Sequence, residues 1–184
     1  MRRRDLLATA GLASLAGCTA SLPTLCSRPA FRTDRLEFET RRYSSVGRWW
    51  SYPGTILATE PAHTERFDPP EEFTAQRDVE LESAERAFID DTDFDESVLV
   101  GLVVGTSSQS TAARVTHVVR EDHRVHCYVC IRRRGRTDDL APQGRLIRTA
   151  ESWNPDEVRV TVTDGNDATE TFDSDGTGRD ILER

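Results

Sequence analysis

The alternation of apolar and polar positions along the chain predicts a domain made mainly of β-strands. Residues 98–104, Val-Leu-Val-Gly-Leu-Val-Val, are apolar on both alternating faces, a pattern typical of a strand covered on both sides. Residues 113–120 and 124–132 flank the charged turn Glu121-Asp122-His123, which indicates a β-hairpin. The alternation divides the side chains of the second arm into two sets. The set that faces the core is Val125, Cys127, Val129 and Ile131, and the set that faces outward is His126, Tyr128, Cys130 and Arg132.

Shorter stretches with the same alternation predict further strands at residues 35–44, 55–59, 145–149, 158–163 and 169–172. Residues 80–90 have apolar side chains at helical spacing and predict one short helix, whereas the proline-containing residues 61–72 predict a loop. Short strands separated by frequent turns are typical of a β-sandwich or a barrel. We favour a mainly β, immunoglobulin-like β-sandwich with one short helix over residues 34–173, followed by a disordered tail at residues 174–184. The paired-cysteine-and-tryptophan signature of antibody domains is absent, so this prediction concerns architecture only.

The N-terminal residues have a different pattern, with a basic start, a short apolar run and small residues before a cysteine. The apolar run, residues 6–16, is too short to cross a hydrocarbon core of roughly 30 Å as a helix. A basic start, an apolar middle and small residues are the three parts of an export signal. The alternative is an amphipathic helix of a cytosolic protein, but Thr9 and Ser14 are the run's only polar residues and give it no polar face.

Two details of this segment resemble known export motifs. Arg3 and Arg4, followed by Asp5-Leu6-Leu7, resemble a twin-arginine signal, which routes folded proteins for export. Leu15-Ala16-Gly17-Cys18 resembles a lipobox, after which the signal is removed and the cysteine thiol is lipidated. The segment therefore resembles the twin-arginine-exported lipoproteins of halophilic archaea. The resemblance implies a signal peptide at residues 1–17, a tether at residues 18–33, and a domain anchored through Cys18 to the extracellular face of the cell membrane.

The charge composition agrees with this resemblance and limits the partners. The chain has 32 acidic residues against 24 basic ones, and every basic residue is an arginine. An acidic surface with arginine in place of lysine is similar to that of halophilic archaeal proteins, although a bias toward GC-rich codons would also replace lysine by arginine. The net charge of -8, with no basic face in the pattern, argues against nucleic acid as the main partner.

The cysteines give the first candidate chemistry. With Cys18 lipidated, three thiols remain, at Cys26, Cys127 and Cys130. Residues three apart on a strand point to opposite faces and lie roughly 10 Å apart, whereas a disulfide needs Cα atoms within about 7 Å. We therefore expect Cys127 to be a small buried core residue. We hypothesise that Cys26 in the tether pairs with Cys130 on the exposed face.

Two alternative sites remain open from the sequence. His117, His126 and Cys130 could form a soft-metal or electron-transfer site if they converged. His117 is predicted on the same face as Val115 and Val119, where a core histidine is the more common outcome. Ligand or glycan binding would use an aromatic patch formed by Trp49, Trp50 and Tyr52, although aromatic residues at strand ends more often seal a core.

The amino-acid sequence contains no motif for a nucleophile elbow, a zinc-binding His-Glu-x-x-His helix, a phosphate loop or a dinucleotide loop. The leading hypothesis is therefore a non-enzymatic, lipid-anchored surface domain without a cofactor, which acts in binding or envelope assembly.

Overall fold

The computed structural model describes Cys26 and residues 35–49, 53–106, 112–131, 141–163 and 169–178. Within these residues the chain forms two four-stranded β-sheets, which confirms the predicted mainly β, two-sheet architecture. The first sheet has the strand order β1-β6-β3-β2, and the second has the order β4-β5-β7-β8. The strands are β1 (Phe38–Arg42), β2 (Gly54–Ala58), β3 (Leu99–Thr106), β4 (Ala113–Glu121), β5 (Arg124–Ile131), β6 (Ala141–Thr149), β7 (Glu157–Thr163) and β8 (Thr169–Ser174).

The two sheets enclose a first hydrophobic core. The first sheet contributes side chains such as Val100, Leu102 and Ile147, and the second contributes those of Val125, Cys127, Val129 and Val160, among others. All of these are fully or almost fully buried. The predicted alternation of β5 is confirmed on this side, because its apolar set packs into the core.

Helical segments cover the opposite face of the first sheet and form a second core with it. Leu99, Val103 and Leu146 of the first sheet pack there with Phe67 and Phe88 of the helical layer. Because β3 lies between the two cores, its side chains are buried on both sides, as its continuous apolar run predicts. The helical segments are the 3-10 helices Ser45–Arg48 and Pro61–Phe67, and the α-helices α1 (Glu71–Arg77) and α2 (Ser83–Asp90).

The prediction of a loop at residues 61–72 is wrong, since these residues contain the helix Pro61–Phe67 and the start of α1. The prolines permit this because Pro61 is the first residue of its helix and Pro70 is the N-cap of α1, positions that need no proline N–H group. The helix predicted at residues 80–90 is confirmed as α2. The expectation of one short helix is therefore corrected to two α-helices and two 3-10 helices in the described residues.

A buried carboxylate joins α2 to the helix Ser45–Arg48. Glu85 is 1% exposed and forms a capping box with Glu82, whose backbone N–H donates to Glu85 Oε2 at 3.0 Å. The other oxygen, Oε1, accepts the backbone N–H groups of Ser44 and Ser45, the latter at 3.3 Å. One side chain thus satisfies the N-terminal donors of two helical segments.

β5 and β7 are parallel because β6, which lies between them in the sequence, belongs to the other sheet. The sheets of an immunoglobulin domain are antiparallel, so this pair departs from the immunoglobulin-like arrangement that we favoured from the sequence. The other strand pairs in both sheets are antiparallel, including the hairpin of β4 and β5 and the pair of β7 and β8.

The disordered tail predicted from residue 174 begins too early. Ser174 is the last residue of β8, and the Leu57 N–H donates to the Gly176 carbonyl at 2.7 Å. Gly176 has a φ of +67°, and a Cβ atom there would lie 2.4 Å from the Cβ of Leu57, so a glycine is required on both counts. Residues 175–178 are thus held against β2, and residues 179–184 lie outside the described part of the chain.

Candidate functional site

The second sheet has one face that points away from the first core, which we call the outer face. It carries the alternate side chains of four strands, in register with one another. These are Arg114, His117, Val119 and Glu121 of β4, Arg124, His126, Tyr128 and Cys130 of β5, Glu157, Arg159, Thr161 and Thr163 of β7, and Thr169, Thr171 and Asp173 of β8. Several of these side chains are buried despite facing outward, notably Val119, His126 and Cys130. Arg132, which was predicted on the same side, lies outside the described residues.

A β-bulge places His117 on this face. The register of β4 against β5 shifts between Val115 and His117, so that Val115 opposes the core residue Val129, whereas His117 opposes Tyr128. The prediction that His117 shares a face with Val115 and Val119 is therefore wrong for Val115 and confirmed for Val119, because the extra residue reverses the alternation between Val115 and His117. His117 packs edge-on against Tyr128, with ring centroids 6.5 Å apart. Its Nδ1 atom is buried and has no hydrogen-bond partner.

His126 is the centre of a hydrogen-bonded row that crosses all four strands of the second sheet. Its Nδ1 lies 2.7 Å from Glu121 Oε1, and its Nε2 lies 2.8 Å from Thr161 Oγ1. Thr161 Oγ1 in turn lies 2.9 Å from Thr171 Oγ1. An ionised carboxylate only accepts hydrogen bonds, so Nδ1 carries the proton that bonds to Glu121. In the neutral ring Nε2 then accepts from Thr161, whose oxygen accepts from Thr171.

Burial favours the neutral form of both histidines on this face. Desolvation lowers the pKa of His126, and the hydrogen bond to Glu121 counteracts this effect without cancelling it. Desolvation, followed by the charge of Arg35, lowers the pKa of His117. The His126 ring stacks on Tyr128 with centroids 4.1 Å apart, which leaves the imidazole little contact with water.

An ion-pair network surrounds the His126 row at the end of the sheet that carries the β4–β5 turn. Arg159 makes two hydrogen bonds to Asp173, at 2.6 and 2.9 Å, and lies 3.7 Å from Glu121. The bonded guanidinium lowers the pKa of Asp173. Arg124 pairs with Glu157 at 3.3 Å and lies 3.9 Å from Asp173. Because most of these groups are in contact with water, the individual pairs contribute little to stability.

The disulfide hypothesised from the sequence is present and attaches the tether to the outer face. Cys26 and Cys130 are bonded, with Cα atoms 5.1 Å apart and a sequence separation of 104 residues. The chain is fixed a second time at β4, where Leu36 N–H donates to the Val118 carbonyl at 3.0 Å and Arg35 pairs with Val119.

Cys127 is the free cysteine of the described residues, and it is fully buried in the first core, as predicted. Desolvation raises the pKa of its thiol to about 12, which keeps the thiol protonated and unreactive. Cys127 and Cys130 are unbonded to each other because they project from opposite faces of β5, in agreement with the strand geometry.

The metal-site alternative loses its sulfur ligand in this structure. Cys130 is held in the disulfide, and both ring nitrogens of His126 are engaged by Glu121 and Thr161. His117 lies beyond Tyr128 in the same row of rings. In the part of the chain that the structure describes, no group of three or more histidine, cysteine, aspartate or glutamate side chains is arranged to hold a metal ion.

The aromatic-patch alternative is corrected at its one described member. Trp49 is 7% exposed and packs in the second core, so it cannot form a ligand platform at the surface. Trp50 and Tyr52 lie outside the described residues. The same holds for the signal and lipidation residues, Arg3, Arg4, Leu15, Ala16, Gly17 and Cys18.

Sequence reasoning missed Glu121 and Thr161, the two partners that fix His126. The sequence pattern places Glu121 in the turn, but it is the last residue of β4 and opposes Arg124. Thr161 was recognised only as the polar member of an alternating strand. Its contact with His126 depends on the parallel register of β5 and β7, which no local pattern in the sequence encodes.

Comparison with known proteins gives no match to a protein-family model, to a curated protein or to a solved structure. Among the described residues, no helix has both the length and the apolar character needed to cross a bilayer.

Proposed function

We propose that the chain is exported, lipidated at Cys18 and held at the extracellular face of the cell membrane, where its β-sandwich acts in binding or envelope assembly. The domain reaches this position through the twin-arginine signal, and the modified cysteine anchors it. The proposal combines the motifs of the first eighteen residues with one feature of the fold, the bond between Cys26 and Cys130.

The disulfide is the observation that carries the proposal. Disulfides persist in oxidising, extracytoplasmic environments and are rare in the cytosol, where thiols are kept reduced. Cys26 follows the lipobox cysteine by only eight residues, so the bond joins the predicted tether to the folded body. A bond in this position supports a mature protein that functions outside the cytosol.

The His126 row supports binding better than catalysis. Glu121, His126 and Thr161 have the order acid, base and hydroxyl that is used in nucleophilic catalysis. Such a reaction also needs donors for the developing oxyanion. Thr161 lies in β7, between β5 and β8, so that the backbone N–H groups around it are paired within the sheet. The row instead fixes the polar side chains of the outer face in one arrangement.

Mass spectrometry of the chain from a membrane fraction tests the anchor. We expect a mature protein that begins at Cys18 and carries a lipid, and we expect Cys18→Ser to leave the protein unlipidated. Cys127→Ala is the matched control, since it removes a cysteine and leaves the lipobox intact. An unmodified leader on the protein from the membrane would refute the proposal.

Replacing both signal arginines by lysine tests the export route while keeping the positive charge. We expect Arg3→Lys with Arg4→Lys to leave the precursor inside the cell, because twin-arginine export reads the arginines and not the charge alone. A broad hydrolase screen on the purified domain tests the non-enzymatic part. Turnover of any substrate would contradict it, and loss of that turnover in His126→Ala would assign the activity to the His126 row.

A further inference from the structure

We propose that the Cys26–Cys130 disulfide sets the orientation of the domain on the membrane, with the Cys130 end of the outer face next to the lipid surface and the β4–β5 turn directed away from it. This inference rests on the proposed lipidation at Cys18. It adds an interaction surface and commits to one partner, the headgroup surface of the bilayer.

The first step is the length of chain between the lipid and the folded body. Cys26 is eight residues from Cys18, whereas Arg35, the next residue fixed to the body, is seventeen residues away. An extended chain spans at most about 3.5 Å per residue, so the reach is about 28 Å to Cys26 and about 60 Å to Arg35. The disulfide therefore halves the length of chain between Cys18 and its first attachment to the folded body, and it moves that attachment from the edge of β4 to the face of β5.

The second step is the position of Cys130 within the sheet. Cys130 opposes Arg114 in β4 and Thr163 in β7, near the last residue of β5. Arg124, next to the β4–β5 turn, lies six residues earlier, which is about 20 Å along the strand. A flexible chain of eight residues has a typical end-to-end distance of about 16 Å. This typical distance is below the 20 Å along β5, although the fully extended segment would exceed it, so attachment near one end of the strand favours that end as the one proximal to the bilayer.

The third step is the distribution of charge over the outer face. Among its described residues the carboxylates are Glu121, Glu157 and Asp173, and all three lie toward the turn. The outer-face side chains around Cys130 are Arg114 and the neutral Thr163 and Thr169, whereas the exposed Glu170 at this end projects from the other face of β8. Membrane surfaces with anionic lipids repel carboxylates and attract arginine. The charge distribution therefore favours the same orientation as the short segment between Cys18 and Cys26, with the Cys130 end next to the bilayer.

The experiment measures the distance from two exposed positions to the bilayer. The full chain, purified in its lipidated form, is reconstituted into vesicles of anionic lipid that contain a fluorescent acceptor on the headgroup. A clickable amino acid replaces either Thr169, at the proximal end, or Asp122, in the turn, and it carries the donor dye. We expect greater energy transfer from position 169 than from position 122.

The double variant Cys26→Ser with Cys130→Ser provides the matched comparison, because the maximal reach of the chain between Cys18 and the folded body then about doubles. We expect a loss of transfer at position 169 and a smaller difference between the two positions. Circular dichroism confirms that the variant keeps its strands. The comparison of positions 169 and 122 in the disulfide-bonded protein tests the orientation even if the variant fails to fold.

The outcomes separate this inference from the function on which it rests. Lipid on Cys18 with equal transfer from both positions, or greater transfer from position 122, would overturn the orientation and leave the anchor intact. Protein that lacks lipid at Cys18 and does not float with the vesicles would overturn the anchor, and the orientation with it.

Discussion

Removing the Cys26–Cys130 disulfide should cost this domain a large part of its stability. The bond closes a loop of about one hundred residues, since the two cysteines are separated by 104 positions. In the chain-entropy treatment, a cross-link of this span stabilises the folded state by about 4.7 kcal/mol, because it restricts the unfolded chain. Domains are typically stable by only about 5–15 kcal/mol, so the loss is comparable with the whole stability of a marginal domain.

Urea unfolding of the wild type and of the variant Cys26→Ser with Cys130→Ser measures this loss. A slope of about 2 kcal/mol per molar urea converts 4.7 kcal/mol into a fall of about 2 M in the midpoint. The slope itself should rise in the variant, because the unfolded chain without the cross-link is more expanded and exposes more surface. Cys127→Ala serves as the cysteine control and should leave the slope unchanged.

The single variants Cys26→Ser and Cys130→Ser sharpen the test. Each removes the same bond, so each should cost nearly as much as the double variant, and the two effects should not add. A loss below about 1 kcal/mol with an unchanged slope would refute the reasoning, since the unfolded chain would then be equally restricted with and without the bond.

Four further outcomes follow from buried groups. His126→Gln should flatten the dependence of stability on pH between about pH 7 and 5, as measured by urea titrations at several pH values. The pKa of His126 is lower in the folded state than the ordinary value of about 6.5, so the unfolded chain takes up the proton first. The wild type therefore loses stability as the pH falls through this range. Glu85→Ala should lower the free energy of unfolding by about 3 kcal/mol or more, because buried backbone N–H groups lose their acceptor, whereas the exposed control Glu82→Ala should cost less. Gly144→Ala should lower the melting temperature, because the added Cβ atom would lie 2.2 Å from a backbone oxygen; an unchanged midpoint would contradict the close packing of β6. In protein lipidated at Cys18, Cys127 should resist a thiol reagent in the native state and react as one equivalent in denaturant, and rapid native labelling would show that the core is open.

The strands could be predicted because their patterns are local. The continuous apolar run of β3 indicated a strand covered on both faces, and the structure places β3 between two cores. The start of β6 was missed because residues 141–144 contain a proline and a glycine and have little alternation. They nevertheless form a strand, since they pair with residues 103–106 of β3.

The helical layer was predicted only in part because short segments depend on tertiary contacts. The helix Pro61–Phe67 lacks a regular apolar period, and Phe67 is its one buried residue. Phe67 is fully buried, and its carbonyl accepts the hydroxyl proton of Tyr43 at 2.6 Å. This contact spans 24 residues, so it leaves no sign in the local pattern from which a helix could be recognised.

The alternation of side chains between the two faces of a strand explains both the successful and the failed site predictions. The pairing of Cys130 with Cys26 followed from the regular alternation of β5, which separates Cys130 from Cys127. Contrary to the prediction, His117 does not share the face of Val115, because the bulge in β4 between them adds one residue and reverses the alternation, whereas it does share the face of Val119. A bulge at this position has no glycine or proline to mark it in the sequence.

The arrangement of layers leaves one face of the described sheets outside both hydrophobic cores. Of the four faces of the two described sheets, two form the first core and a third is covered by the helical segments. The outer face of the second sheet is the fourth, and the disulfide occupies its Cys130 end. The opposite end carries the part-exposed Glu121, Arg124 and Arg159 around the buried His126. In the orientation that we propose, this end points away from the membrane, so we expect substitutions in the network to weaken binding of a partner and to leave membrane attachment unchanged.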